Sequence, residues 1–308
     1  MYKSNTIKDH NKLEEIPFEN FRVIRLSKRW DIGIFKDARW IEESHEKVEQ
    51  VEKVALLFPK ENGRISKESD EILKLKNLNH INVIKFYGTT YDLENKTEMF
   101  VLQLTAESLC EYLTIDSHKF DQTEKLNIAD KLNIAIDIAT GLEHLHYNNI
   151  IHGDLHSRNI FIDKNKRALI TNPQIFTVIN KSSSMDLMRN KNKICYIDPR
   201  LLNSQKQQPD EHSDIYSLAI VMWRIFSDKE PFSDYENKLI SLVHEILLQN
   251  KREEPTKDTP ERYINVYKKC WSSNPKERLP FLKILSELNE VKIQFWNYCQ
   301  MKSEDMNL

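Results

Sequence analysis

Asp154 and Asn159 stand five residues apart in the string HGDLHSRN, which runs from His152 to Asn159. A carboxylate and an amide at that spacing on a loop can serve phosphoryl transfer, the first accepting a hydroxyl proton and the second holding a metal ion. The plainer reading is a solvated loop whose polar side chains bond only to their own backbone, and the octapeptide alone leaves both open. A phosphate site also needs backbone amides that can approach the phosphates where side chains are absent. Here the chain is poor. It has five glycines in 308 residues, Gly33, Gly63, Gly88, Gly141 and Gly153, and no two lie close enough to form such a cradle.

The loop must be held by its surroundings. Before it, residues 123–147 carry Leu132, Ala135, Ile136, Ala139 and Leu142 at the spacing of a buried helical stripe. After it, short apolar runs at 159–162 and 168–170 predict a small hairpin. Residues 213–226 are apolar almost all round and predict a central core helix. Thr259 and Pro260 predict a hydroxyl cap followed by a proline at the first helical position. A last helix begins near Pro280, and Phe281, Ile284, Leu285, Leu288, Val291 and Phe295 share one stripe. It is expected to continue beyond Val291 with that stripe packed. Ahead of residue 105 the pattern is β-rich, with runs at 21–26, 33–41, 51–58, 83–87 and 97–104 and one helix at 66–78. Residues 1–20 read as a loose polar arm, and 181–193 is the most loop-like stretch.

Composition narrows the classes. With 45 basic against 47 acidic residues, a formal charge of −2 and 40% hydrophobic residues, the chain can bury a sizeable core. It gives no reason to expect a nucleic-acid face or an anionic-membrane face. The longest apolar stretch, 218–223, is far too short to span a bilayer, and the N-terminal residues lack the apolar core of a signal peptide. Cys110, Cys195, Cys270 and Cys299 are scattered without metal or redox spacing and read as reduced thiols. The expected location is the cytoplasm.

HGDLHSRN and three further strings resemble the eukaryotic protein kinase family, in its tyrosine-kinase-like flavour, over residues 21–290. SDIYSLAIVMW is similar to the core helix whose aspartate, here Asp214, braces the catalytic loop. CWSSNPKERLPF is similar to the end of the catalytic domain, with Arg278 at its arginine. LNHINVIKFYG is similar to the link from the regulatory helix to the fourth strand, which sets Glu71 at that helix's glutamate. The resemblance implies an α+β, bilobal fold. After the arm at 1–20 would come a β-rich N-lobe with one regulatory helix over 21–104. A mainly helical C-lobe over 105–290 and a helical extension over 291–308 would follow. It implies Asp154 and Asn159 as the catalytic pair and His152 as part of the bracing. It also implies an adenine pocket from Ala55, Leu102, Leu104 and Phe161.

The departures from the family pattern bear on function. Leu57 occupies the strand-three position of the lysine that grips the phosphates, so Glu71 loses its partner. Lys53 is a poor substitute, four residues or roughly 13 Å along the strand, and Lys60 lies beyond Pro59. The glycine-rich loop falls in 26–35, where only Gly33 remains, crowded by Arg29, Trp30 and Asp31, with a register open by one residue. The metal-binding triplet is Asn172, Pro173 and Gln174: a neutral amide binds hard Mg²⁺ weakly, and proline lacks the aromatic ring that stacks on His152. Gly153 replaces an arginine that reads a phosphorylated segment, so Ser182, Ser183 and Ser184 would lack a docking charge. Arg200 replaces the glutamate that pairs with the arginine at Arg278. The expectation is that Arg200 turns to solvent, that Arg278 finds another carboxylate, Asp198 foremost, or backbone carbonyls, and that Arg200→Glu stabilises.

The resulting expectation is a kinase-like domain impaired in phosphoryl transfer, a pseudokinase that acts by protein binding or allosteric regulation in signalling. Its partners would be proteins, an active kinase or its substrate among them, with no nucleic acid, no membrane, no cofactor and no metal. One rival is a weakly active kinase using ATP and Mg²⁺ with a lysine displaced to Lys28, Arg29 or Lys36. The other is a module that binds nucleotide without metal.

Overall fold

The computed structural model describes residues 15–30, 33–42, 50–58, 78–105, 107–117, 125–171, 191–203, 207–227, 229–235 and 238–305. The chain divides into two units: residues 1–80, 84–104 and 174–181, and residues 81–83, 105–173 and 182–308. The first is β-rich and the second mainly helical, which is the α+β class the sequence implies.

The first unit is a five-stranded antiparallel sheet of order β1-β2-β3-β5-β4. Its strands are β1 (Phe21–Trp30), β2 (Gly33–Glu42), β3 (Gln50–Phe58), β4 (Phe86–Asp92) and β5 (Thr97–Gln103). Strand periodicity gives the sheet two apolar faces. One carries Val54, Leu56 and Val101, and the other Ala55, Leu57, Phe100 and Leu102, all buried. The register left open by the sequence is resolved by two irregularities in β1, between Val23 and Arg25 and between Leu26 and Arg29. Each inserts one extra residue opposite β2.

The arm boundary at residue 20 is too late. Glu15 bridges Thr89, the Ile16 amide donates to the Thr89 carbonyl at 2.8 Å, and Ile16 and Phe18 join the Val54–Leu56 face. Two apolar residues inside a polar stretch were the available signal. The strand expected at 83–87 begins instead at Phe86, while Val83 makes an isolated bridge to Ile170 in the second unit. The helix expected at 66–78 falls almost wholly outside the described residues, and Glu71 with it.

The second unit holds a three-stranded sheet of β6 (Glu107–Ser108), β7 (Ile160–Ile162) and β8 (Ala168–Ile170). Its helices are α1 (Leu109–Ser117), α2 (Ile128–Tyr147), α3 (Lys191–Ile194), α4 (Pro199–Asn203), α5 (Glu211–Phe226), α6 (Leu239–Leu248), α7 (Glu261–Cys270) and α8 (Phe281–Asp305). Asn127 caps α2 by accepting the Asp130 amide at 2.8 Å, which starts that helix later than its periodicity alone suggests. Asp210 and Ser213 form a reciprocal capping box at the start of α5, whose residues from Ser213 to Phe226 are all buried. The expected Thr259 cap is not made. Pro260 holds the N-cap position of α7, and the Thr259 hydroxyl lies 2.6 Å from that of Thr256. Helix α8 passes Val291 without a break and runs to Asp305. Phe281, Ile284, Leu288 and Val291 are buried and Phe295 half-buried, after which Trp296, Tyr298 and Met301 are exposed. Among the described residues no helix is long and apolar enough to cross a membrane.

Candidate active site

The string HGDLHSRN lies between α2 and β7 in the second unit and is fixed from below by one buried carboxylate. Asp214, in the first turn of α5, accepts the His152 amide at 2.7 Å and the Gly153 amide at 2.8 Å, and His146 Nε2 lies 2.7 Å from it. A buried carboxylate with three such partners is satisfied, and it clamps the loop to the core helix. Gly153 takes φ +69°, a left-handed conformation that glycine reaches without steric cost. The missing arginine therefore has a backbone counterpart: an L-residue there costs roughly 1–2 kcal/mol. Gly153→Arg is expected to lose about that much in urea unfolding, and unchanged stability would refute the conformational account.

Asn159 and Asp154 face each other. Asn159 Nδ2 donates to the Asp154 carbonyl at 2.5 Å and lies 3.4 Å from Asp154 Oδ2. Lys193 Nζ, from α3, donates to the same Oδ2 at 2.8 Å, and His156 Nε2 is 3.7 Å from Oδ1. His156 Nδ1 accepts the Arg158 amide at 3.2 Å, so a neutral ring carries its proton on Nε2, toward Asp154. Tyr196 closes this side, its hydroxyl 3.2 Å from the Ser157 hydroxyl and its carbonyl held by Ser217.

Burial raises the Asp154 carboxyl, but His156 and Lys193 outweigh it and hold the group far below the usual carboxylate range. Burial pushes His152 down to about 4 against the opposing charges of Asp214 and Asp154, so its ring is neutral at pH 7. Asp154 is thus ionised, as a proton acceptor must be. It is also a weak base, because basicity falls with pKa.

A second cluster stands on Asp198. Arg278 bonds both oxygens of its carboxylate, one through Nη1 and the other through Nη2 at 3.2 Å. It also donates to the carbonyls of His212 and Ser272. The expectation that Arg200 turns to solvent fails: its guanidinium donates to Asp198 Oδ2 at 2.7 Å and to Asp210 Oδ1 at 2.8 Å. Two guanidiniums are reconciled by two carboxylates, with Asp198 shared between them. Burial raises the Asp198 carboxyl, but the hydrogen bonds from Arg278 and Arg200 outweigh it and leave the group below its ordinary value.

In the first unit Leu57 is fully buried on β3, opposite Phe35 and Phe100 and on the same face as Ala55 and Leu102. Lys36 pairs with Leu56 and so belongs to the other face, where its amino group cannot stand in beside Leu57. Lys53 shares the face of Leu57 but is exposed. Gly33 closes the β1–β2 pair opposite Trp30. Leu104 is half-buried, and Phe161 is buried on β7 in the second unit. Asn172, Pro173, Gln174, Asp31, Lys60 and the serines at 182–184 lie outside the described residues.

A family model of protein tyrosine and serine/threonine kinases matches residues 33–288. The chain belongs to the protein kinase family. A probable LIM domain-containing serine/threonine-protein kinase of Dictyostelium discoideum is 31% identical over 223 residues, 71% of this chain and 32% of that protein. Human receptor-interacting serine/threonine-protein kinase 1 is 28% identical over 228 residues, 69% of this chain and 32% of its own length. The kinase domain thus spans about a third of the length of these relatives.

Two groups at the site of this kinase domain escaped the sequence reading. Lys193 sits at the end of the stretch read as loop, and nothing in its spacing marks it as a partner of Asp154. Asp210 was equally silent as an arginine acceptor, although its place three residues before Ser213 could have marked it as a helix cap.

Proposed function

We propose that this kinase domain is impaired in phosphoryl transfer, a pseudokinase that works by binding a protein partner in signalling. Leu57 carries the reading. It is a fully buried apolar side chain at the strand position where the family places its phosphate-gripping lysine. Phosphoryl transfer depends on positioning and charge neutralisation, and a leucine supplies neither. The described residues offer little to a metal–triphosphate group: buried Leu57 gives the phosphates no donor, and the Asp154 carboxylate is committed to Lys193. The partner class, an active kinase or its substrate, and the cytoplasmic location belong to the same proposal.

The test is restoration. Leu57→Lys combined with Asn172→Asp should not yield a robust kinase, because the sequence still carries Trp30 and Asp31 where the family has its glycines. Turnover of a generic peptide near ~1 s⁻¹, the low end for kinases, would overturn this account of the loop.

A further inference from the structure

The candidate base of this domain is engaged by its own chain. Asp154 Oδ2 takes the Lys193 ammonium at 2.8 Å and faces the Asn159 amide at 3.4 Å, while Oδ1 faces His156 Nε2 at 3.7 Å. A hydroxyl approaching Oδ2 would have to displace one of the two groups bonded there. Asn159 and His156 belong to the loop itself, and the His156 side chain is almost wholly buried. Lys193 differs. It comes from α3, 39 residues further along the chain, on a long flexible stem, and it retains some exposure. The ammonium is therefore the group that can leave. The turn that carries it is short and tied locally: Tyr196 N donates to the Lys193 carbonyl at 2.9 Å and Ile197 N to that of Ile194 at 3.2 Å.

We propose that Lys193 is an autoinhibitory latch. Its ammonium closes the Asp154 carboxylate to an approaching hydroxyl and pins the α3 turn to the catalytic loop. The latch rests on the reading of Asp154 as the hydroxyl-facing carboxylate of an impaired kinase, and it adds a block independent of the phosphate handles. Asp154 would remain closed even with Leu57 replaced by lysine.

The experiment is carboxylate footprinting of the full chain without nucleotide, using a water-soluble carbodiimide and glycine ethyl ester, with labelling of each acid read by mass spectrometry. Wild type, Lys193→Met, Lys193→Gln and Lys193→Arg are compared. Asp163, held by Arg167, serves as the internal reference. Asp154 should label about tenfold or more faster in the Met and Gln variants, the ratio a charge-assisted hydrogen bond sets between closed and open forms. The Arg variant should stay as slow as wild type, since it keeps the charge, and this separates the latch from simple packing. Hydrogen exchange at the Tyr196 and Ile197 amides should accelerate in the same two variants and not in the third. Equal labelling of Asp154 in wild type and both neutral variants overturns the latch. So does equal acceleration in the Arg variant. Mg²⁺–ATP binding, measured separately, decides the impaired-transfer reading, so either idea can fail while the other stands.

Discussion

Asp198→Ala lowers the stability of the second unit by about 3–5 kcal/mol, the cost typical of removing one partner from a buried ion pair. The side chains of Asp198 and Arg278 are both fully buried, and Arg200 shares the same carboxylate. Without it, Arg278 keeps the carbonyls of His212 and Ser272 and the face of the Tyr216 ring, and its charge has no acid beside it in the core. Arg200 keeps Asp210 but stands closer to an unpaired guanidinium. The same geometry reverses the sign expected for Arg200→Glu. A glutamate there would face Asp198 and Asp210 together, so this variant melts below wild type. Arg200→Glu melting above wild type would show that Arg278 is the residue short of a carboxylate. The effect of Asp198 also has a pH signature. Its folded carboxyl lies below its unfolded value, so its contribution is complete above about pH 5 and is lost progressively below ~4, as pH falls toward the lower folded value. The difference in unfolding free energy between wild type and Asp198→Ala should narrow over that window, and a gap unchanged down to about pH 3 would contradict the ion-pair account.

The second large effect is an absence of binding. Mg²⁺–ATP is expected to bind with a dissociation constant above about 1 mM, equivalent to ~4 kcal/mol or less. At about 1 mM nucleotide the stabilisation is then at most ~0.4 kcal/mol, a shift of under about 2 °C for a domain of this size. The reason is local chemistry: Leu57 cannot donate to a phosphate, and Lys36 lies on the opposite face of the sheet. Titration calorimetry with and without Mg²⁺ checks the number. Metal-dependent binding in the micromolar range would sink the pseudokinase reading and restore the rival with a displaced cation. Tight binding indifferent to metal would favour the nucleotide-sensing module instead.

The sequence by itself carried the fold class, most of the described strands and long helices, and the loop that brings Asp154 beside Asn159. Each rests on local regularity: the two-residue period of β3, the helical stripe of α2, the short spacing from Asp154 to Asn159. It also carried Leu57, because an apolar residue at a strand position is legible without its neighbours. It misplaced element ends wherever a cap or a packed side chain decided them, as at Asn127, Thr259 and Ile16. What only the tertiary structure decided is which distant groups meet. Lys193 reaches Asp154 across 39 residues, whereas the pairing of Arg278 with Asp198 across 80 was expected from the family pattern and is found. Arg200 avoids solvent because Asp210 caps a helix beside it. Lys36 is excluded by strand register, and Gly153 is required by a backbone angle. Charges separated by tens of residues interact only through the positions that packing gives them. Their partners are therefore a property of the assembled core, and no spacing in the chain encodes them.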